Sequence, residues 1–212
     1  MNAPIERRVL APSGAAGMTE QYGATPKEWD HWSTVLGLTT DLLPVVSNPS
    51  AKISPASKMK GIGKTPSVYN QGGLVAGIPN WTSKLATPEE VGLWSTEPDY
   101  GICLQTRAVR AIDVDIEDPG ESRMVRAALL SFLGPVPVRV RSNSSKFLIL
   151  VNTPGDMSKR VIKTAHGIIE LLATGQQCVI AGTHPSGARY EWEGGLPSGI
   201  AHLPLEKIEV LW

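Results

Sequence analysis

Two acidic residues interrupt an apolar stretch near the middle of the chain. Residues 109–118 read VRAIDVDIED, which places Asp113 and Asp115 two positions apart. On a β-strand alternate side chains share a face, so both carboxylates point to one side while Ile112, Val114 and Ile116 fill the other. A divalent cation between the acids is one explanation, because unpaired buried charges are costly and carboxylate oxygens suit Mg²⁺ or Mn²⁺. The alternative is a strand end whose acids meet solvent or cap the following helix.

A third acid lies in another apolar segment further along the chain. Glu170 stands within residues 167–172, which read GIIELL. It could complete a site of three carboxylates with Asp113 and Asp115. An acid that faces solvent on a half-exposed strand is the alternative, and the residue type alone does not distinguish the two.

Hydroxyl and basic side chains are concentrated in two turns. Residues 142–146 read SNSSK, with Arg139 and Arg141 before the turn and Lys146 at its end. Hydroxyls and cations at one junction suit a phosphate group. Residues 182–192 contain a histidine, an arginine and two aromatic residues around a Pro/Gly turn, where a lone histidine would ordinarily be structural.

Charge is balanced over the whole chain but not along it. The 20 basic and 20 acidic residues give a net charge of zero, so no overall field draws the protein to nucleic acid or to a membrane. Two segments are nevertheless basic: residues 52–64 hold four lysines and no acid, and residues 139–163 hold six basic residues and one acid. Such patches are either solvated faces or contacts for phosphate groups.

The cysteines and the hydropathy pattern indicate an intracellular protein. Cys103 and Cys178 lie in apolar, strand-like surroundings and are predicted to be core thiols, which fits a reducing cytoplasm. No segment approaches the roughly 18 consecutive apolar residues of a membrane span, and none follows the N-terminal basic pair. We therefore expect a cytoplasmic protein that has no membrane partner.

The elements that must position these residues form an α+β pattern. Residues 1–24 are rich in Ala, Gly, Pro and Ser and are predicted to form a flexible arm. Thr-Pro-x-Glu capping boxes that begin at Thr25 and Thr87 predict two helix starts, and a third helix is predicted to begin near Asp118 and to end at Gly134. Residues 47–83 show little periodicity and are predicted to be a long loop.

Strands are predicted on both sides of this third helix. The segment 101–104 and the strand with the two aspartates are predicted to form a hairpin, and so are the segments 167–172 and 178–182. Two further strands are predicted at 136–142 and 146–151. Because strand, helix and several strands follow one another, we expect an α+β fold with an antiparallel sheet, in one bilobal domain from residue 25 to residue 212.

Taken in order, these segments resemble the N-terminal primase-polymerase (PrimPol) domain of bifunctional phage and plasmid replication proteins, in the archaeo-eukaryotic primase superfamily. The acidic D-x-D strand of that family is similar to residues 111–115. Its third acid, its G-x-Q-x-V turn and its H-P-x-G-x-x-Y-x-W ending are similar to Glu170, Gly175–Val179 and His184–Trp192. The long ending motif makes the resemblance specific.

The resemblance, which covers about residues 40–195, implies a fold and an activity. The fold is that of archaeo-eukaryotic primases, with two lobes that include an RRM-like antiparallel sheet and flanking helices. The activity is DNA primase and DNA polymerase: transfer of a nucleotide from NTP or dNTP to a 3′-hydroxyl, directed by a single-stranded DNA template that carries a primer. Two Mg²⁺ or Mn²⁺ ions would be held by the catalytic residues Asp113, Asp115 and Glu170.

The resemblance also assigns residues to the nucleotide. Lys146, with Ser144, is expected to bind the β- and γ-phosphates. Where many members of the superfamily carry S-x-H, this sequence has Lys146 in place of the histidine, so proton transfer at that position is not implied. His184 is assigned to the incoming nucleotide, and Arg141 and Arg189 are assigned to phosphate or template.

A lysine-bearing loop and a missing motif complete the expectations. Lys58, Lys60 and Lys64 are predicted to bind the DNA single strand. The residues around Lys64 do not form a Walker motif, because position 58 is lysine where glycine is required. Any helicase activity must therefore lie elsewhere, and the resemblance implies a replicative helicase domain or protein as the partner. The chain is expected to be the N-terminal part of a longer replication protein, located in the host cytoplasm if a phage encodes it.

Two other functions stay open. A catalytically silent, RRM-like module that binds single-stranded nucleic acid would be expected to display aromatic residues on its central strands. Phenylalanine occurs only at positions 132 and 147, and the central strand carries carboxylates instead. A metal-dependent nuclease would use the same acids, and only the resemblance separates it from a polymerase.

Overall fold

The computed structural model describes residues 21–153 and 155–212 of the 212-residue chain. Within these residues the fold is α+β, as expected, with largely antiparallel sheets. The predicted flexible arm lies mostly outside the described residues. Its last two residues, Gly23 and Ala24, donate backbone hydrogen bonds to the carbonyls of Pro98 and Tyr100, at 2.7 and 2.8 Å. These two residues therefore belong to the folded part of the chain.

The first two helices begin where the capping boxes predict. At Thr25 and at Thr87 the hydroxyl accepts a hydrogen bond from the N–H three residues later, and the glutamate there accepts one from the threonine N–H. None of the helices in the described part of the chain has the length and apolar character that crossing a membrane requires. The helices are α1 (Pro26–Asp30), which a π-helical turn (His31–Val35) continues, α2 (Pro88–Trp94), α3 (Pro119–Leu133) and α4 (Leu205–Leu211), with 3₁₀ turns at Thr39–Asp41 and Trp81–Ser83.

The strands of the described residues form three sheets. They are β1 (Leu42–Val46), β2 (Ser67–Tyr69), β3 (Val75–Gly77), β4 (Tyr100–Gln105), β5 (Val109–Ile116), β6 (Val138–Arg141), β7 (Phe147–Asn152), β8 (Arg160–Lys163), β9 (Gly167–Leu172), β10 (Gln177–Ala181), β11 (Tyr190–Glu193) and β12 (Ala201–His202). The small sheet has the order β1-β4-β10, and the large sheet has the order β11-β6-β7-β5-β9-β8 with β12 beside β7. The third sheet is the pair β2-β3. Every pairing except that of β12 with β7 is antiparallel.

Both predicted hairpins are wrong, because the chain crosses from one sheet to the other at each of them. Strand β4 pairs with β1 and β10, whereas β5 pairs with β7 and β9. The two connections run side by side: Thr106 donates from its N–H to the Gln176 carbonyl at 3.0 Å and from its hydroxyl to the Ala173 carbonyl at 2.7 Å. Because the two connections bond to each other, their backbone groups have partners although each connection joins strands that lie in different sheets.

The predicted loop at residues 47–83 is partly ordered by a short hairpin. Strands β2 and β3 pair on either side of a turn at Asn70–Gly73. The hairpin is attached to the small sheet, because the Tyr69 N–H donates to the Tyr100 hydroxyl at 2.9 Å and the Tyr69 hydroxyl donates to Asp99 at 2.5 Å. Three-residue strands are too short for a periodicity signal, so the sequence pattern missed them.

Strand β5 separates the apolar core from an acidic face. Ile112, Val114 and Ile116 are completely buried and pack in a cluster that includes Leu129 of α3. The alternation predicted from the sequence is therefore confirmed. Burial of each such side chain stabilises the fold by about 1.5–3 kcal/mol, and a shift of one residue would bury the aspartates instead.

Candidate active site

Three acidic side chains occupy one face of the large sheet. Asp113 of β5 lies directly opposite Glu170 of β9 in the antiparallel register, and Asp115 lies opposite Ile168. Directly opposed residues point to the same side of a sheet, with Cα atoms roughly 4.5–5.5 Å apart. The three residues predicted to be catalytic therefore share one surface, which we call the acidic row.

Each member of the acidic row has a basic side chain beside it. The pairs are Asp113 with Arg139 at 3.9 Å, Asp115 with Lys146 at 2.6 Å, and Glu170 with Lys159. The Asp115 side chain is 49% exposed, whereas that of Glu170 is only 16% exposed. The chain's own cations thus compensate the negative charge of the row.

The acidic row has the donor chemistry of a hard metal site, although its members do not form a compact cluster. Among residues 21–153 and 155–212, no group of three or more His, Cys, Asp or Glu side chains is close enough to hold a metal ion. Burial raises the pKa of Asp113, Arg139 opposes this effect, and Asp115 and Glu170 add repulsion. A bound cation would relieve that repulsion, so the carboxylates fit Mg²⁺ or Mn²⁺. The metal assignment itself stays a prediction.

A cavity of about 300 Å³ opens beside the acidic row. It is lined by Asp113 and Asp115 but not by Glu170, and its other polar lining is mostly basic. The basic side chains come from separate segments of the chain: Lys64 from the loop before β2, Arg139 and Arg141 from β6, Lys146 from the turn before β7, and His184 from the segment after β10. A cavity with this lining can bind a polyanion beside the two carboxylates.

His184 is held neutral inside this cavity. Its pKa is lowered to about 4, mainly by burial and then by repulsion from Arg141 and the other cavity cations. Its Nδ1 accepts hydrogen bonds from the Arg141 guanidinium at 2.7 Å and from the Ser186 N–H at 3.0 Å. The ring proton is therefore on Nε2 at neutral pH. In this form the ring can donate a hydrogen bond to a phosphate oxygen but is not charged.

The serine-rich turn between β6 and β7 contacts two of the basic residues of the cavity. The Ser144 hydroxyl accepts hydrogen bonds from the Arg141 guanidinium at 3.1 Å and from the Lys146 N–H at 3.2 Å, although Ser144 does not itself line the cavity. The Lys146 ammonium contacts Asp115 at 2.6 Å and Glu117 at 2.5 Å, and these carboxylates raise its pKa. Lys146 thus joins the acidic and basic halves of the cavity.

Several predicted site residues lie elsewhere. Arg189 donates to the Gly23 carbonyl at 2.9 Å and to the Glu28 carboxylate at 2.6 Å, so it attaches α1 to the segment before β11. Lys58 and Lys60 line a second cavity, of about 800 Å³, between residues 54–65 and the β2-β3 hairpin. The predicted residues that the first cavity brings together are Asp113, Asp115, Arg141, Lys146, His184 and Lys64.

Arg139 belongs to the cavity, whereas the sequence pattern placed it beside the phosphate-suited turn but gave it no role in the site. It is buried, donates to the Val179 carbonyl, and lies with its guanidinium 4.6 Å from the centre of the Tyr190 ring. Arg139 and Asp113 are both opposite Leu148, so they share one row across β6, β7 and β5. The R-V-R alternation of β6 was the available signal, because residues two apart on a strand share a face.

Comparison with protein-family models gives a match over most of the chain. Residues 30–206 match the Prim-Pol model, described as bifunctional DNA primase/polymerase, N-terminal, and this range contains every residue that lines the cavity. No curated protein sequence matches the chain significantly. The family match confirms the resemblance seen in the D-x-D strand and in the ending motif. The chain belongs to the Prim-Pol family, the N-terminal domains of bifunctional DNA primase/polymerases.

Proposed function

We propose that this domain catalyses template-directed nucleotidyl transfer, as a DNA primase and DNA polymerase. The observation that carries the proposal is one cavity in which two carboxylates of β5 meet a set of basic side chains. A nucleoside triphosphate binds with its metal, so its site needs carboxylates for the metal and cations for the phosphates. Membership of the Prim-Pol family supports the same reaction.

The substrates would be NTP or dNTP and a primer on a single-stranded DNA template. The 3′-oxygen of the primer, or of a first nucleotide, forms a bond to the α-phosphorus. The bond from the α-phosphorus to the pyrophosphate oxygen breaks, the hydroxyl proton passes to water, and pyrophosphate leaves. Little covalent chemistry is left for the protein, so positioning and charge neutralisation are its main contributions.

The acidic row is the proposed metal site. Mg²⁺ or Mn²⁺ held there would lower the pKa of the attacking hydroxyl and neutralise the departing pyrophosphate. Asp113 and Asp115 already line the cavity, whereas Glu170 can take part only by exchanging its contact with Lys159. Because the pKa of Asp113 is raised, protons compete with the metal for this carboxylate as pH falls.

The basic half of the cavity is the proposed triphosphate site. Arg141 and Lys146 supply charge for the β- and γ-phosphates, and Ser144 accepts hydrogen bonds from the Arg141 guanidinium and from the Lys146 backbone N–H. His184 would donate its Nε2–H to the nucleotide, and its low pKa argues against a role as proton shuttle at neutral pH. Arg139 neutralises Asp113 and supports the wall of the cavity.

We further propose that the small and large sheets are the two lobes of an archaeo-eukaryotic primase fold. The cavity supports this idea because its lining includes Val179 of the small sheet and Asp113 of the large sheet. The sequence motifs support a role in phage or plasmid DNA replication, beside a replicative helicase domain or protein.

The face of the large sheet that carries Asp113 argues against a silent RRM-like module. On that face the central strands carry Asp113 and Leu148, and Leu148 is itself buried, whereas Phe147 is opposite Val114 and buried in the other core cluster. Bases would find no aromatic side chain on these central strands to stack on. A nuclease would use the same acids, but a cavity rich in cations favours a triphosphate as the ligand.

Primer extension tests the proposed function against both alternatives. The purified domain would be given a primed template, or an unprimed one, with NTPs or dNTPs and Mg²⁺ or Mn²⁺. We expect template-dependent products that are absent with Asp113→Ala. Degradation of the DNA without synthesis would identify a nuclease. Binding of single strands with neither reaction would identify a silent module.

A further inference from the structure

The loop of residues 58–65, here called the lysine loop, lies between two cavities. Gly63 and Lys64 line the 300 Å³ cavity that contains the acidic row. Lys58, Lys60 and Thr65 line the 800 Å³ cavity beside the β2-β3 hairpin. The three lysines that the sequence groups together therefore face two different spaces.

The end of the lysine loop is fixed at the edge of the smaller cavity. The Lys64 carbonyl accepts a hydrogen bond from Gln177 Nε2 at 2.6 Å, and Gln177 Oε1 accepts one from Cys103 at 2.5 Å. Cys103 and Cys178 are free and buried, as predicted, so this anchor reaches into the core of the small sheet.

Gly63 brings the backbone of the lysine loop against Pro185. A side chain at Gly63 would place its Cβ 3.0 Å from two ring carbons of Pro185, and the φ angle of Gly63 is +76°. The positive φ favours glycine at this position, and a Cβ there would force Pro185 to shift. Since Pro185 follows His184, the close approach holds Lys64 beside the proposed triphosphate site.

Lys64 is free to bind a ligand in that cavity. Of the other cavity cations, Arg139 is near Asp113, Lys146 is paired with Asp115, and Arg141 is bonded to His184. Lys64 has no hydrogen-bond or ion-pair partner for its ammonium group among residues 21–153 and 155–212. Its charge also acts on His184, as one of the causes of the lowered pKa of that ring.

The larger cavity has a different character. Its lining is mainly small and apolar, with Met59, Ala76 and Ile78, and the two lysines at its edge are exposed. Neither Lys58 nor Lys60 has an ion pair within the described residues, and no carboxylate lines this cavity. An apolar surface edged by two free cations complements a single strand, whose bases are apolar on their faces and whose backbone is anionic.

We propose that the lysine loop divides its lysines between two ligands. Lys64 binds the phosphates of the incoming nucleotide, and Lys58 and Lys60 bind the backbone of the single-stranded template. The proposal rests on the proposed function and deepens it, because it separates the nucleotide contact from the template contact within one loop. It also revises the expectation that all three lysines serve the template.

Two binding measurements on matched variants test this division. Each variant removes one charge: Lys64→Ala, Lys58→Ala, Lys60→Ala, and Lys27→Ala on α1 as a control that lines neither cavity. Nucleotide affinity is measured with dNTP and Mg²⁺ in the absence of DNA. Affinity for a deoxythymidine oligonucleotide is measured at several salt concentrations in the absence of nucleotide. Neither mixture supports synthesis, so turnover does not disturb the result.

We expect Lys64→Ala to weaken dNTP binding about five- to tenfold, as for the loss of a partly exposed charged contact, and to leave the salt dependence of DNA binding unchanged. Lys58→Ala and Lys60→Ala should each reduce the slope of log affinity against log salt by about 0.7, with dNTP affinity unchanged. A Lys64→Arg variant should keep most of the nucleotide affinity.

The division is overturned if Lys64→Ala changes the salt slope while dNTP affinity stays the same, or if all three loop variants change the same property equally. Effects that match those of Lys27→Ala would also overturn it. Failure of the proposed function has a separate signature, because the wild-type domain would then bind one or both ligands without extending a primer.

Discussion

The acidic and basic halves of the cavity are built in different ways. Asp113 and Asp115 lie on one strand, and Glu170 lies opposite Asp113 on the neighbouring strand. The hydrogen bonds of the sheet therefore set the spacing of the acids. The basic side chains come instead from β6, from the turn before β7, from the segment after β10 and from the lysine loop, which only the fold brings together.

This difference determines how each half responds to substitution. The acids are held at fixed spacing on a sheet, so each acid that is removed takes away a defined position of the proposed metal site. The cations are long side chains from independent segments, and several of them can contact one triphosphate. We therefore expect large effects from the acidic half and graded effects from the basic half.

Removing either aspartate of β5 should have the largest effect. Asp113→Ala or Asp115→Ala should lower nucleotide incorporation by about 1,000-fold or more, because metal stabilisation of several kcal/mol is lost. The free energy of unfolding should not fall, since the pKa of Asp113 is raised by burial and removal of its charge relieves repulsion. Primer extension and urea unfolding measure the two quantities. Substantial activity in either folded variant would contradict the two-metal assignment.

Substitutions of Glu170 and of Lys159 should change metal-dependent activity in opposite directions. Glu170→Ala should reduce incorporation as the aspartate variants do if Glu170 is the third ligand. Lys159→Ala should lower the Mg²⁺ concentration that gives half-maximal activity by about two- to fivefold, because a metal ion that binds Glu170 no longer has to displace Lys159. Metal titrations of primer extension measure both effects, with Lys27→Ala as the control. A Glu170→Ala variant that changes only stability would make Glu170 structural.

Lys146 and Arg189 compare a cation inside the cavity with one outside it. Lys146→Ala should raise the KM for nucleotide by about ten- to 100-fold, and Lys146→Arg should keep part of the activity. Arg189→Ala should leave this KM unchanged and lower the free energy of unfolding by about 1 kcal/mol, because its contacts are to Gly23 and Glu28. Steady-state kinetics and urea unfolding measure these effects. An unchanged KM for Lys146→Ala would remove it from the triphosphate site.

His184 should give the smallest effect, a change in how stability depends on pH. Its pKa is lowered to about 4 from an ordinary value of about 6.5, so between these values the unfolded chain binds the proton and the folded protein does not. The stability contributed by the neutral ring is therefore complete above pH 6.5 and falls as the pH is lowered toward 4. His184→Gln should flatten this dependence in urea unfolding at pH 7 and pH 5. Equal pH dependence in both proteins would show that the ring titrates normally.

The parts that could be predicted from the sequence depend on short-range interactions. The capping boxes at Thr25 and Thr87 are made by residues three positions apart, so the pattern alone locates the helix starts. The common face of Asp113 and Asp115 follows from the period of two in a strand. The strand that carries Glu170 was predicted at its correct bounds, because it is a continuous apolar run that a glycine begins.

Pairing between strands could not be predicted in the same way. The predicted hairpin between β4 and β5 failed because both strands are apolar and buried, and hydrophobic burial has no direction that would select a partner. In the structure, a long-range hydrogen bond from Thr106 to Ala173 joins the two connections, and β4 and β5 lie in different sheets. The same crossing carries β10 into the small sheet, where Gln177 anchors the lysine loop.

The sequence by itself determined the acidic row's residue types, the face that two of its members share, and the helices that begin at capped positions. Only the tertiary structure decided that Glu170 lies opposite Asp113, that Arg139 enters the cavity while Arg189 stays outside, and that Lys64 is separated from Lys58 and Lys60. The physical reason is the distance along the sequence over which each kind of interaction acts. Periodicity and capping act within a few residues, whereas the basic half of the site is assembled from segments as distant in the sequence as Lys64 and His184.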